Sequence, residues 1–356
     1  MTEAIAQRCA PGTGRPSSTL ADTGEVAAVE SKRSPLRFRH LLVPLDGSPL
    51  ADAILPHALA LAEVFSARIT LLRVLEARPS PPGDHVSPVE WELARAEAQR
   101  HLGELKAQLE AKHLSAAAEL VEGRAAEQIL LFAEQHDVDL IALSSHGEGG
   151  LSEWLLSSTI QKVVARTHRS LFIVPAYTYP EAPPGAPRFA KILLPLDCSP
   201  RAECTVPLAT EIAAAHQSEL ILAHVVPEPE LARRMPPSEE DLNLVAQLTQ
   251  RNRATAEGYL QQLQDRLAAH GVRSATRVLV SPRRARSIRA LAQQENVDLV
   301  LFSAHGRTGD PADRYGGIAA RLLQECPRPV MIVQDLAHEI HPNSAAEEAA
   351  RGRPGH

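Results

Sequence analysis

Ala133-Glu-Gln-His-Asp-Val-Asp-Leu-Ile-Ala-Leu-Ser-Ser-His146-Gly147 returns, little changed, as Ala292-Gln-Gln-Glu-Asn-Val-Asp-Leu-Val-Leu-Phe-Ser-Ala-His305-Gly306. Upstream of each lies a second matched pair. Leu41-Leu-Val-Pro-Leu-Asp46-Gly-Ser-Pro is answered by Ile192-Leu-Leu-Pro-Leu-Asp197-Cys-Ser-Pro. Two matches in the same order mean a duplicated domain, with a period too long for a solenoid unit.

Working outward from these echoes, each copy alternates short apolar runs with helical spacing. Strands are expected at Phe38–Leu45, Arg68–Leu75, Ala116–Val121, Val138–Leu143 and Leu171–Val174. Helices are expected at Leu50–Phe65, Glu90–His113, Ala125–His136 and from about Ser158. The second copy repeats the order through Ile192–Leu196, Leu220–Val225, Arg277–Val280, Val297–Phe302 and Val330–Val333. Buried runs separated by helices are the pattern of βαβ units, so the fold class is α/β. Right-handed crossovers then give two tandem, doubly wound, five-stranded parallel sheets of Rossmann-like type.

The copies span 37–176 and 189–336. Residues 1–36 are rich in Ser, Thr, Gly, Ala and Pro without a period and are expected to form a disordered leader. Residues 337–356 form a similar tail, and the Pro-rich stretch 177–188 has a linker's composition.

Composition narrows the function classes. The 356 residues carry a net charge of −6, and only 3% are aromatic. Both facts argue against nucleic-acid partners. No run approaches the roughly 18 apolar residues of a membrane span. Cys9, Cys198, Cys204 and Cys326 are scattered without a CxxC pair, as expected of thiols in a reducing cytoplasm rather than of zinc ligands or disulfides. The charged stretches Glu90–His113 and Glu239–His270 read as solvated helix faces before they read as partner surfaces.

In an open parallel sheet, ligands bind beyond the strand C-termini where the strand order reverses. Here that point falls between the first and fourth strands, whose ends carry the repeated motifs. Asp46 and Asp197 close the first strands; Ser144–Gly147 and Ser303–Gly306 close the fourth. An acid there can accept a hydrogen bond from an amine or hydroxyl, and a glycine turn lets backbone N–H groups approach a phosphate. Nine residues after Gly147 come Ser157-Ser158-Thr159-Ile160-Gln161. Ser158 and Gln161 fit a capping box, so a helix N-terminus with three hydroxyls is expected there as a phosphate cradle.

With these motifs the chain resembles a tandem universal stress protein over about 38–175 and 189–335. Nucleotide-binding members of that family carry G-x2-G-x9-G-[S/T] after the fourth strand and an Asp ending the first. The first copy reads Ser144-x2-Gly147-x9-Ser157-Ser158, and the second Ser303-x2-Gly306-x9-Gly316-Gly317. Both keep the acid, the His-Gly and the spacing, and both have Ser for the first Gly. The resemblance implies adenine nucleotide binding, with ATP, with or without Mg2+, as the ligand. Asp46 and the Val74 backbone would then face the adenine, with Asp197 and Val225 as their counterparts. Ser144, Ser145, His146 and Gly147 would approach ribose and phosphates, as would His305 and Gly306. Ser157, Ser158 and Thr159 would hold the phosphate chain, a place taken by Gly316 and Gly317 in the second copy.

The copies differ. Ser157 replaces the family's Gly, at a cost of roughly 1 kcal/mol if its φ is positive. Gly316-Gly317 lacks the hydroxyl, and Asp310 and Asp313 add negative charge; Arg307, Arg314 and the run Ser281-Pro-Arg-Arg-Ala-Arg286 read as a solvated helix start before they read as phosphate contacts. These features rank the first copy as the better nucleotide site. Catalysis is not expected of His146 or His305, because no Ser–His–Asp spacing surrounds either. Neither a Walker A sequence nor a carboxylate pair for Mg2+ is present, so enzymatic activity is left open, at most weak hydrolysis. The expected role is regulatory, in a stress response. The alternatives are a nucleotide-independent interaction scaffold, with an unknown protein partner, or a slow ATPase. The two domains are expected to pair within the chain, which leaves room for a homodimer of such pairs.

Overall fold

The computed structural model describes residues 37–76, 87–147, 156–176, 187–229, 238–307 and 314–334. The expected leader 1–36, the tail 337–356 and most of the linker 177–188 lie outside the described residues, as do Asp310 and Asp313.

The described part of the first half runs β1 (His40–Leu45), α1 (Pro49–Asp52), α2 (Leu55–Phe65), β2 (Arg68–Leu75), α3 (Pro88–Ala111), β3 (Ala116–Glu122), α4 (Ala125–Gln135), β4 (Leu140–Ser144), α5 (Ser158–Arg166) and β5 (Ser170–Val174). The second half repeats it: β6 (Lys191–Pro195), α6 (Pro200–Glu203), α7 (Thr205–His216), β7 (Glu219–Val226), α8 (Glu239–Ala269), β8 (Arg273–Val280), α9 (Arg284–Gln294), β9 (Leu299–Ser303), α10 (Gly317–Glu325) and β10 (Val330–Val333).

Two expectations need correction. The single helix over Leu50–Phe65 is broken into α1 and α2, because Pro56 has no N–H to donate to the carbonyl of Asp52. Pro207 breaks α6 from α7 in the same way. The third strand of the second half starts at Arg273, not Arg277. Its polar Arg273, Ser274 and Thr276 hide it from a search for apolar runs, and it is a strand at the sheet's end, where one edge meets water.

Each half is wound in the order third, second, first, fourth, fifth strand, all parallel. The reversal falls between β1 and β4, and again between β6 and β9. The halves do not stop at two separate sheets. β5 pairs antiparallel with β10, setting Ile173 opposite Val330, Phe172 opposite Met331 and Leu171 opposite Ile332. The described strands thus make one ten-stranded sheet, β3-β2-β1-β4-β5-β10-β9-β6-β7-β8. The cause is in the sequences: Ser-Leu-Phe-Ile-Val and Val-Met-Ile-Val are buried along their whole length. As exposed edges they would be templates for aggregation, and pairing covers each with the other.

The two core layers therefore run through both halves. One lies under α2, α3, α7 and α8 and includes Phe38, Phe65, Phe172, Phe189, Tyr259 and Met331. The other lies under α4, α5, α9 and α10 and includes Ile129, Ile160, Ile288, Leu322 and Ile332. At the seam, the His57 ring of α2 lies 6.3 Å from the rings of Phe172 and of Phe189. Phe189 in turn meets His216 of α7, edge to face, at 5.2 Å.

Phe172 spans the junction and is 0% exposed. Phe172→Ala is expected to cost about 3–5 kcal/mol. It should also quicken amide exchange at Met331 and Ile332 in the other half; unchanged exchange there would mean the halves are independent.

His57 is only 4% exposed, and burial pushes its pKa down to about 4 despite a backbone hydrogen bond with Ala53. The folded chain keeps this ring neutral, while the unfolded chain protonates it below its ordinary value near 6.5. Stability should therefore be lost as pH falls from about 6.5 toward 4, by roughly 3 kcal/mol from this group. Urea titrations of wild type and His57→Leu should diverge by that amount over the same interval; parallel pH profiles would refute it.

Candidate functional site

At each reversal point the two repeated motifs touch. Asp46 follows β1, and its Oδ1 accepts hydrogen bonds from Ser48 N (3.0 Å) and Ser48 Oγ (2.6 Å). Ser48 Oγ in turn accepts from Ala51 N (3.1 Å) and so caps α1. In the turn after the neighbouring β4, Gly147 lies so close that a Cβ there would stand 1.8 Å from Asp46 Oδ2. Glycine is demanded here by close approach rather than by dihedral angle. The second half repeats the device. Asp197 Oδ1 accepts from Ser199 N (3.1 Å) and Ser199 Oγ, and a Cβ on Gly306 would lie 2.2 Å from Asp197 Oδ2. The Arg307 N–H donates to that same Oδ2 (2.6 Å).

The expected Ser and His residues hold the turn itself. Ser144 Oγ donates to Leu50 O (2.5 Å). Ser145 is buried and tied three ways: its N–H donates to Val174 O (2.8 Å), its carbonyl accepts from Ser157 N (2.9 Å), and its Oγ accepts from Ala176 N (2.9 Å). His146 is buried too, with Nδ1 2.9 Å from Ser145 Oγ. In the second half the backbone ties recur at Ala304, with Val333 O (2.7 Å) and Gly316 N (2.8 Å), while Ser303 Oγ donates to the carbonyl of the buried His305 (2.6 Å). These side chains brace the loop.

The helix starts differ from the expected capping box. Ser157, not Ser158, is the N-cap of α5, and its Oγ accepts from Ile160 N (3.5 Å). Gln161 turns its amide to Leu156 O (2.9 Å) instead of back to a cap. Ser158 and Thr159 fall in the first helical turn. Ser157 has φ −64° and ψ 160°, and Gly316, the N-cap of α10, has φ −64° and ψ 156°. Extended backbone suits Ser as well as Gly, so Ser157 carries no strain. The difference runs the other way: Gly316, having no side chain, gives α10 no side-chain cap.

Between β6, β7 and α10 the second half opens a cavity of about 1120 Å³, somewhat larger than the roughly 300–1,000 Å³ of common ligand pockets. Asp197, Val225, His305, Gly306, Gly316 and Gly317 all line it, so the structure brings the second set of expected residues together. In the first half, Val74 lies on β2, partly buried against the core, but the loop after Gly147 lies outside the described residues.

Several lining residues were not found from the sequence. His224 on β7 donates from Nδ1 to Leu196 O (2.7 Å); burial lowers its pKa, Asp197 opposes this, and Arg307 and Arg284 add to it. The hydroxyl of Tyr259, on the cavity wall, donates to the buried Glu203 Oε1 (3.0 Å), and burial pushes its pKa far up. Cys198 stands at φ 59°, where the first copy has Gly47 at φ 78°. Arg73 holds the place of His224 in the first half, its guanidinium packed where a Gly47 side chain would go. The signal available in the sequence was a polar residue, Arg73 or His224, set inside an otherwise apolar second strand. Five arginines also line the cavity: Arg283, Arg284, Arg286, Arg307 and Arg321.

Comparison with known proteins bears on this geometry. The model of the universal stress protein family matches twice, over residues 37–175 and 188–334. A universal stress protein of Methanocaldococcus jannaschii is 28% identical over 139 residues, covering 38% of this chain and 82% of its own length. One from Mycobacterium bovis is 24% identical over 314 residues, 84% of this chain and 98% of its own. Among solved structures, a universal stress protein from Archaeoglobus fulgidus has the same fold with a TM-score of 0.59 at 16% identity, covering 85% of this chain and 99% of that one. With both halves matched, the chain belongs to the universal stress protein family, as a tandem member.

Proposed function

We propose that the chain binds an adenine nucleotide, ATP foremost, at the two reversal-point crevices, and acts as a cytoplasmic regulator of a stress response rather than as a dedicated enzyme. The observation that carries this reading is the contact of Asp46 with Gly147 and of Asp197 with Gly306, each at the mouth of a helix start. An acid fixed at the base end and a bare backbone at the phosphate end are the complementary halves of a nucleotide site. The backbones of Val74 and Val225 would edge the base. In the second crevice His224 would lie against it.

The phosphate chain would run to the N-termini of α5 and α10. At α5 it would meet the hydroxyls of Ser158 and Thr159. At α10 it would meet the amides after Gly316, with Arg307 and Arg321 as counter-charges. Magnesium would come with the phosphates; among the described residues no three His, Cys, Asp or Glu side chains gather as a metal site. The sequence ranking of the first crevice over the second is reversed in this proposal. Ser157 Oγ already occupies one α5 amide, while Gly316 gives α10 no side-chain cap beside the cavity. The cytoplasmic place follows the reading of four scattered cysteines without a CxxC pair. Among the described residues no helix is long and apolar enough to cross a membrane.

Calorimetry with ATP tests the reading. Wild type should bind, and Gly306→Val, whose side chain must displace Asp197, should lose the tighter site with a weakening of tenfold or more. Gly147→Val should remove the weaker one. No heat with wild type, and no nucleotide released when the purified chain is denatured, would overturn the proposal. A larger loss from Gly147→Val than from Gly306→Val would restore the first crevice to first rank.

A further inference from the structure

Arg283, Arg284 and Arg286 form the start of α9, directly after β8, and all three are exposed and line the second cavity. Among the described residues none of them has a carboxylate within ion-pair distance. Other arginines of this half do: Arg277 meets Glu295 (2.7 Å), Arg253 meets Glu257 (2.8 Å) and Arg289 meets Glu325 (3.7 Å). The matching turn of the first half has the opposite character. There Arg124 is paired with Glu127 (3.2 Å), Glu76 accepts the Ala125 N–H, and Glu122 ends the strand. Three guanidinium groups at a helix N-terminus repel one another and the helix dipole, and a bound anion relieves both. Arginine's planar fork fits phosphate oxygens in pairs.

These arginines do not stand where a 5′ phosphate chain would end. That end is the α10 start with Gly316, Gly317 and Arg321, on the neighbouring helix, which is tied to α9 by the Arg289–Glu325 pair. The start of α9 instead packs over β7, with Ala285 and Ile288 in one core layer with Ala223 and Val225, the strand assigned above to the base end. The cavity is thus cationic at two places, and one phosphate chain neutralises one of them. We propose that the second crevice takes an adenine nucleotide with phosphate at two separate positions, the 5′ chain at α10 and a ribose phosphate at Arg283, Arg284 and Arg286. This rests on the nucleotide reading above and names its ligand class.

The test is calorimetry of the full chain with AMP, ATP and adenosine 3′,5′-bisphosphate, on wild type and on an Arg284→Gln, Arg286→Gln double variant. The bisphosphate should bind wild type at least tenfold tighter than AMP. The double variant should bind AMP as wild type does and lose the bisphosphate advantage. A bisphosphate no tighter than AMP on wild type would overturn the proposal, as would an advantage that survives in the variant. A loss in the variant confined to ATP would also overturn it, because the arginines would then serve a single long chain. If AMP and ATP bind while the bisphosphate gains nothing, the nucleotide reading stands and only this inference fails. If none of the three binds, both fall.

Discussion

A strand that is apolar on both faces cannot stand at the edge of a sheet in water. β5 and β10 are two such strands, each the fifth of its own half, and their antiparallel pairing is the constraint on which the molecule's form depends. It turns two five-stranded sheets into one. It also lets each core layer run from one half into the other, and it brings α2 and α7 together over Phe172 and Phe189. A bond between Gln334 N and Ser170 Oγ (3.1 Å) fastens the end of the junction. Duplication in this chain therefore supplies in cis the cover that a single copy would need from another molecule.

The same architecture sets the crevices. β1 and β4 are neighbours whose following loops leave in different directions, and the gap between those loops is filled by one carboxylate against one glycine. The seam is central, and the crevices lie at the strand ends, one strand pair away, between β1 and β4 and between β6 and β9. Stability and binding can thus diverge between the copies without disturbing each other, and the copies have diverged. Gly47 with Arg73 became Cys198 with His224, and an acidic turn after β3 became a basic one after β8.

Much of this was legible in the residues. The echo of Asp46 and His146-Gly147 in Asp197 and His305-Gly306 was enough for the α/β class, the duplication and the location of the crevices, because strand-buried runs and ligand loops keep their order in sequence. The joining of the sheets was not legible: Leu171–Val174 reads the same whether a second strand of its own domain or of another covers it. The helix breaks were present in Pro56 and Pro207 but were masked by continuing apolar spacing around them. The cost of Ser157 stayed conditional, because it depended on the sign of φ, which no sequence reveals. The arginines were visible as a run. Whether each had a carboxylate partner was a property of packing, and that property separates a solvated helix start from a site.

The central claim is that the crevices of this tandem chain hold adenine nucleotide. Native mass spectrometry of the intact chain under increasing ATP tests it most directly, since it counts ligands per chain. The account predicts a first nucleotide bound at low concentration and a second at higher concentration, with the first lost in Gly306→Val. A chain that carries no nucleotide at any concentration while remaining folded would contradict it.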